Sequence, residues 1–185
     1  PYPVCRHLHA TIDAIRAIQR ESTIAAKDIE SILVESSERA VYEHDSVECD
    51  TLIGAQFNHP CVAGLAAVYG DVTLRHLQQG FTSEVRELVR RVRVAVSEEC
   101  EKLYPAHRPA IVTIRMKNGT ELRKQVLDPK GEGAEALSDD ELTAKFYGNC
   151  EAIVGKEKCD RLVQSVWQFD RLNDLGEFFA WESRR

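Results

Sequence analysis

A histidine, an arginine and an aspartate near the start of the chain fall at spacings that place them on one side of a helix. With residues 6–21 helical at about 100° per residue, Leu8, Ile12 and Ile15 share an apolar face. Arg6, His9, Asp13, Arg16 and Arg20 then gather about a third of a turn away. His9 suits proton transfer next to a carboxylate, because an imidazole near neutral pH serves as general acid or base. Asp13, four residues on, is placed to fix its tautomer. Arg6 suits a carboxylate ligand, which a guanidinium grips through two parallel hydrogen bonds. The plainer readings stand beside these: His9 and Asp13 as solvated residues of an amphipathic helix, and Arg6 paired with Asp13 or a surface acid. His7 lies roughly 200° around the helix from His9, so the two cannot face one metal ion, and no metal site is expected. Pro1 and Pro3 hold the entry to this helix extended.

Composition narrows the classes. The 185 residues, 43% of them hydrophobic, suffice for one α+β domain with a real core. A formal charge of −6 with scattered basic residues argues against nucleic acid. The Arg86, Arg90, Arg91 and Arg93 cluster reads as a solvated edge. No apolar run reaches the roughly 18–20 residues that span a bilayer, which argues against a membrane protein. The six cysteines, Cys5, Cys49, Cys61, Cys100, Cys150 and Cys159, show neither CxxC pairing nor zinc-ligand spacing. They read as reduced thiols of a cytoplasmic protein. His44, His76 and His107 have no partner visible in the sequence.

The elements that must position the candidates follow from periodicity and caps. Residues 29–36 read as a strand with Ile32 and Val34 on one face and Leu33 on the other. Residues 42–54 are acidic and aperiodic, hence a loop. Asn58 is placed to cap a helix that tolerates Pro60 in its first turn and ends at Gly70. Short helices are expected at 73–78 and, capped by Ser83, at 83–88. Residues 89–97 alternate as a half-buried strand. Strands 110–116 and 120–126 are joined by Lys117-Asn118-Gly119, a strong hairpin signal. Beyond a Pro/Gly-rich loop at 128–133, Ser138 and Glu141 form a capping box for a helix to about 154. Helices at 156–169 and 172–180 complete a helical tail. The sum is an α+β two-layer domain whose mainly antiparallel sheet of about four strands is flanked by helices. GxGxxG, GxxxxGK[ST] and GxSxG are all missing from the sequence.

The opening PYPVCRHLHATID is similar to the start of the C-terminal domain of the MmgE/PrpD family, K-P-Y-P-x-C-R-x-x-H-x-x-x-D, with all but the lysine present. The likeness runs on in order. Gln56-Phe57-Asn58-His59-Pro60-Cys61 resembles the family's F-S-x-P-Y segment, and residues 92–96 its R-V-x-V strand. Tyr104-Pro105 followed by Pro109-Ala110-Ile111-Val112-Thr113-Ile114 resembles its hairpin strand, and Leu137-Ser138-Asp139-Asp140-Glu141-Leu142 its L-S-D-E-E-L helix start.

The resemblance implies a lyase that dehydrates, decarboxylates or epimerises small di- and tricarboxylates without metal or organic cofactor, as 2-methylcitrate dehydratase and cis-aconitate decarboxylase do. It implies further partners: a helical N-terminal domain of the same protein and, in a homodimer, a second copy. The chain then reads as a lid-type domain cut from a longer protein and inactive alone. Catalytic roles fall to His9 and Cys5, substrate contacts to Arg6, His7, His59 and Cys61, and the orienting role to Asp13. Cys5 stands where the decarboxylases tend to carry histidine, and Cys61 where many members carry tyrosine. A thiol is a poorer donor than a phenol and a different acid from imidazole, so the substrate of those branches does not transfer. A second reading is therefore carried: a non-catalytic α+β interaction or dimerisation module.

Overall fold

The computed structural model describes residues 1–42, 44–171 and 174–179. The chain divides into two compact units, Pro1–Ala136 and Leu137–Arg185, and its fold is α+β.

In the first unit the sheet is ordered β2-β1-β3-β4. β1 (Ile29–Ser36) lies inside it, with β2 (Val92–Val96) parallel on one side and β3 (Ala110–Met116) antiparallel on the other; β4 (Glu121–Val126) is antiparallel to β3. Register sets which side chains meet. Ile32 stands between Val92 and Ile114, Val34 between Val94 and Val112, and Ile114 faces Leu122. Ile32, Val34, Val92, Val112 and Ile114 are all buried in one core, whereas Arg93, Arg115 and Glu121 alternate outward and are exposed.

Two helices cover the apolar face. α1 (His9–Glu21) packs on β3 and β4, with Leu8, Ile12 and Ile15 fully buried along the predicted stripe. Each such side chain contributes about 1.5–3 kcal/mol by leaving water. α4 (His59–Tyr69) packs on α1 and β2 and is buried without interruption from His59 to Ala67, as its all-round apolar sequence requires. α6 (Ser83–Val89) packs closely on α4: a Cβ added to Gly64 would stand 2.7 Å from Val89 Cγ2.

Other elements depart from expectation for local reasons. The turn Arg6–Leu8 is 3-10, so the α-helix begins at His9 rather than Arg6. α2 (Glu38–Tyr42) and α3 (Leu52–Gln56) bracket the expected 42–54 loop, and α3 starts inside it because the Thr51 hydroxyl accepts the Gly54 N–H. Asn58 precedes α4 without capping it; its amide donates instead to the Gly54 carbonyl at 2.7 Å. α5 (Leu74–Gln79) opens with a Thr73–His76 capping box, and Thr82, not Ser83, caps α6. The strand expected from residue 89 begins at Val92, since α6 claims Val89. Ser97 caps α7 (Glu98–Leu103), which the sequence reading passed over. In the hairpin turn Gly119 alone takes positive φ (86°), its N–H bonding the Met116 carbonyl, so Asn118 needs no left-handed conformation.

In the second unit α8 (Asp139–Val154) carries the predicted Ser138–Glu141 capping box. α9 (Lys156–Trp167) follows directly, and Tyr147 and Lys156 both donate to Asp160. α10 (Leu175–Phe179) ends the described chain; Leu172, Asn173 and Ala180 of the expected 172–180 helix lie outside the described residues.

Candidate active site

The extended entry is pinned before the helix starts. Cys5 N–H donates to the Gln56 carbonyl at 2.8 Å, and the Gln56 amide donates to the Pro3 carbonyl at 2.7 Å. This delivers His9 to the first position of α1 with its Nε2 3.2 Å from the Val4 carbonyl. A carbonyl only accepts, so Nε2 carries the proton and Nδ1 keeps a lone pair. The Tyr2 ring meets the imidazole edge-on, centroids 5.2 Å apart. Burial holds the His9 pKa below its ordinary value, with the N-terminal amine of residue 1 and, least, the Arg6 charge acting the same way and the Val4 carbonyl and Asp13 opposing. The result is a neutral imidazole with one free basic nitrogen.

Asp13 spends its hydrogen bonds on other partners. Its Oδ1 accepts the Tyr2 hydroxyl, which itself accepts from Arg16 at 2.9 Å, and its Oδ2 accepts the Lys130 N–H at 2.7 Å. Both oxygens are thereby committed to fastening the entry segment and the 128–135 loop to α1. Burial, and then the Asp13 carboxylate, make the Tyr2 hydroxyl a weaker acid than ordinary tyrosine. The helical spacing that paired Asp13 with His9 described their common face correctly but not the partners that arrive from residues 2 and 130.

Arg6 pairs with an acid, though with Glu132 rather than Asp13. Its Nη2 is 2.6 Å from Glu132 Oε1, and Arg108 Nη1 reaches the same oxygen at 2.6 Å. Arg6 remains 57% exposed while Glu132 is 11% exposed. His107 Nδ1 and Asp128 Oδ2, 2.8 Å apart, add a further tie to the loop. Arg108, Glu132 and Lys130 were invisible to periodicity because their partners lie far outside any helical or strand repeat, 24 residues away for Arg108–Glu132 and 117 for Lys130–Asp13. Tyr2 had a signal, its place inside the PYPVCR motif.

The remaining candidates form a separate group. His59 is fully enclosed, its Nδ1 3.0 Å from the Thr11 hydroxyl, and burial, then His44 and His7, push its pKa down to about 3. It has no exposed surface in this conformation, in contrast to the expectation of a substrate contact. His7 is half-buried, its ring 5.9 Å from His44 and 6.0 Å from Tyr104. Cys61 is fully buried and joined to Cys49 in a disulfide. The expectation of six reduced thiols is thus corrected: the 44–51 segment folds back onto the start of α4 and brings the two Cα atoms within 6.0 Å. As a half-cystine, Cys61 has no thiol proton to give a substrate. Cys5 keeps a free, half-buried thiol. The other two histidines that lacked visible partners also have them, His107 in Asp128 and His76 in the Asp71 carbonyl at 3.0 Å and the Tyr69 ring.

Among the described residues no group of three or more His, Cys, Asp or Glu side chains could hold a metal ion, and no helix is long and apolar enough to cross a membrane. A hollow of about 280 Å³ opens elsewhere in the unit, lined by Lys27, Ser83, Glu87, Arg91 and Lys117 among others, and touches none of the candidates.

The family model of the MmgE/PrpD C-terminal domain matches residues 2–169. The chain is also 25% identical over 184 residues to the cis-aconitate decarboxylase-like protein oryM of Aspergillus oryzae, covering 93% of this chain and 37% of that protein. The chain therefore spans little more than a third of that relative. With the match running from the Tyr2 anchor through the sheet into the second unit, the chain belongs to the MmgE/PrpD family, as its C-terminal domain.

Proposed function

We propose that this domain contributes His9 and Arg6 to a lyase acting on a small di- or tricarboxylate. The observation that carries the reading is the state of His9. Its Nε2–H is spent on the Val4 carbonyl and its ring is held neutral by burial, so Nδ1 is available to take a proton from the carbon next to a carboxylate. Arg6, mostly exposed and one 3-10 turn away, serves as the cation for the substrate carboxylate and for the charge that develops as the proton leaves. For dehydration, the hydroxyl on the neighbouring carbon then leaves as water, taking back the proton that His9 carries; for decarboxylation, carbon dioxide leaves first with its electron pair remaining on carbon, and a protonated His9 delivers the proton there. A helical N-terminal domain of the same protein supplies the other wall of the cleft, a second copy completes a homodimer, the enzyme works in the cytoplasm, and these 185 residues alone are inactive. No metal or organic cofactor takes part in this chemistry.

The test is His9→Ala in the full natural chain that carries these residues, assayed against methylcitrate, cis-aconitate and related acids. Removal of the general base lowers kcat by about 10²–10⁴-fold with the thermal midpoint nearly unchanged. Cys61 locked in a disulfide and His59 sealed in the core favour the second reading, a non-catalytic interaction or dimerisation module. Unchanged turnover in His9→Ala removes His9 from the site, and absence of turnover on all of these acids in wild type selects the second reading.

A further inference from the structure

Glu132 is held in an unusual way for a loop carboxylate. Two guanidiniums, from Arg6 and Arg108, converge on one of its oxygens at 2.6 Å each, while the other oxygen, Oε2, is buried without a hydrogen-bond partner. Each arginine presents up to five N–H donors, far more than one shared oxygen uses, and a carboxylate bound by two arginines ordinarily engages both oxygens. The pair is therefore built for a larger acceptor than the one it holds. Arg6 is open to solvent, so an anion can reach it. Glu132 sits between Gly131 (φ 89°) and Gly133 (φ 50°), and glycine on either side gives the backbone there a wider choice of φ than any other residue would. With Glu132 in place the three side chains carry one net positive charge; with it withdrawn they present two.

We propose that Arg6 and Arg108 form a carboxylate-binding site which Glu132 fills as an internal stand-in, and that a polycarboxylate ligand displaces Glu132 and releases the 128–135 loop from α1. The idea rests on the reading of Arg6 as a substrate-binding residue and adds Arg108, to which no role had been given. An internal competitor weakens apparent affinity by the fraction of molecules in which it occupies the site, so removing it tightens binding without adding a contact.

The test measures citrate binding by calorimetry in the full natural chain carrying this domain, with thermal midpoints recorded for every variant. Glu132→Gln binds citrate at least fivefold more tightly than wild type. Arg108→Gln binds it at least tenfold more weakly, and in the Arg108→Gln background Glu132→Gln gives no gain. Glu135→Gln, a charge change on the same loop outside the arginine pair, leaves affinity within twofold, which separates displacement from a general electrostatic effect. In wild type, saturating citrate speeds hydrogen exchange of the Lys130 amide, now bonded to Asp13. Citrate binding with unchanged or weaker affinity in a folded Glu132→Gln overturns the proposal and leaves the lyase reading standing. Should that variant not fold, unchanged Lys130 exchange in citrate-loaded wild type overturns it equally. Absence of polycarboxylate binding in both wild type and Glu132→Gln overturns the proposal and the lyase reading together.

Discussion

His59 sits at the first turn of α4 with no exposed surface and its Nδ1 on the Thr11 hydroxyl, so protonation in the native state means charging a ring that water cannot reach. Its folded pKa of about 3 lies below the unfolded value near 6.5. Between those values the unfolded chain binds the proton and the native chain does not. The contribution of a neutral His59 is thus fully present above pH 6.5 and is lost as pH falls toward 3. Taken from pH 7 to pH 5, urea unfolding of wild type loses about 2 kcal/mol through this one group. His59→Gln, which keeps an acceptor for Thr11, lacks that part of the slope; equal slopes in the two proteins would remove His59 as the cause. Sequence made some of this legible. The stripe Leu8, Ile12, Ile15 and the polar set containing His9 and Asp13 both follow from a single period. The enclosure of His59 does not, since it depends on Thr11 and on the residues of the 44–57 segment that close over it.

Several elements with local signals formed where the sequence placed them, although Asn58 and Ser83 do not cap the helices expected of them. The Ser138–Glu141 box, the glycine at 119 and the Ile32/Val34 alternation each need only neighbours within a few residues, and each is found. Pairings across long separations were not legible: β1 beside β2 in parallel, Glu132 beneath Arg6 and Arg108, and Cys49 against Cys61. In each the local sequence is compatible with many partners and the fold selects one. The disulfide yields the clearest check at this scale, because it staples the segment before α3 to the buried start of α4. Thiol titration of the denatured 185-residue chain gives four reactive thiols without reductant and six after reduction, from four free cysteines and one bridge. Closing a loop of this length (sequence separation 12) stabilises by about 3 kcal/mol through the unfolded chain, so reduction lowers the thermal midpoint. Six thiols without reductant would restore the reading of an all-thiol protein.

At the scale of the molecule, the core belongs to one unit. Every member of the main buried cluster, from Tyr2 to Met116, lies in Pro1–Ala136, together with the whole sheet and the Arg6, His9 and Glu132 groups. Among the described residues of Leu137–Arg185, Cys159 alone is buried, while Leu142, Ile153, Val166, Trp167 and Phe169 are all more than 40% exposed. A pair of helices of 16 and 12 residues with so little apolar burial has no core to hold it, and helices of that length are marginal in water. Truncation after Ala136 therefore leaves a protein that still unfolds cooperatively, with a midpoint within about 5 °C of the full 185 residues, the shift that roughly 1 kcal/mol produces in a domain of this size. The complementary peptide 137–185 shows less helix by circular dichroism than its 16- and 12-residue helices require. Loss of near-ultraviolet dichroism and of cooperative unfolding in the 1–136 protein would mean that the helical tail is part of the folding unit, and that the core as assigned is not sufficient to hold His9 and Arg6 in place.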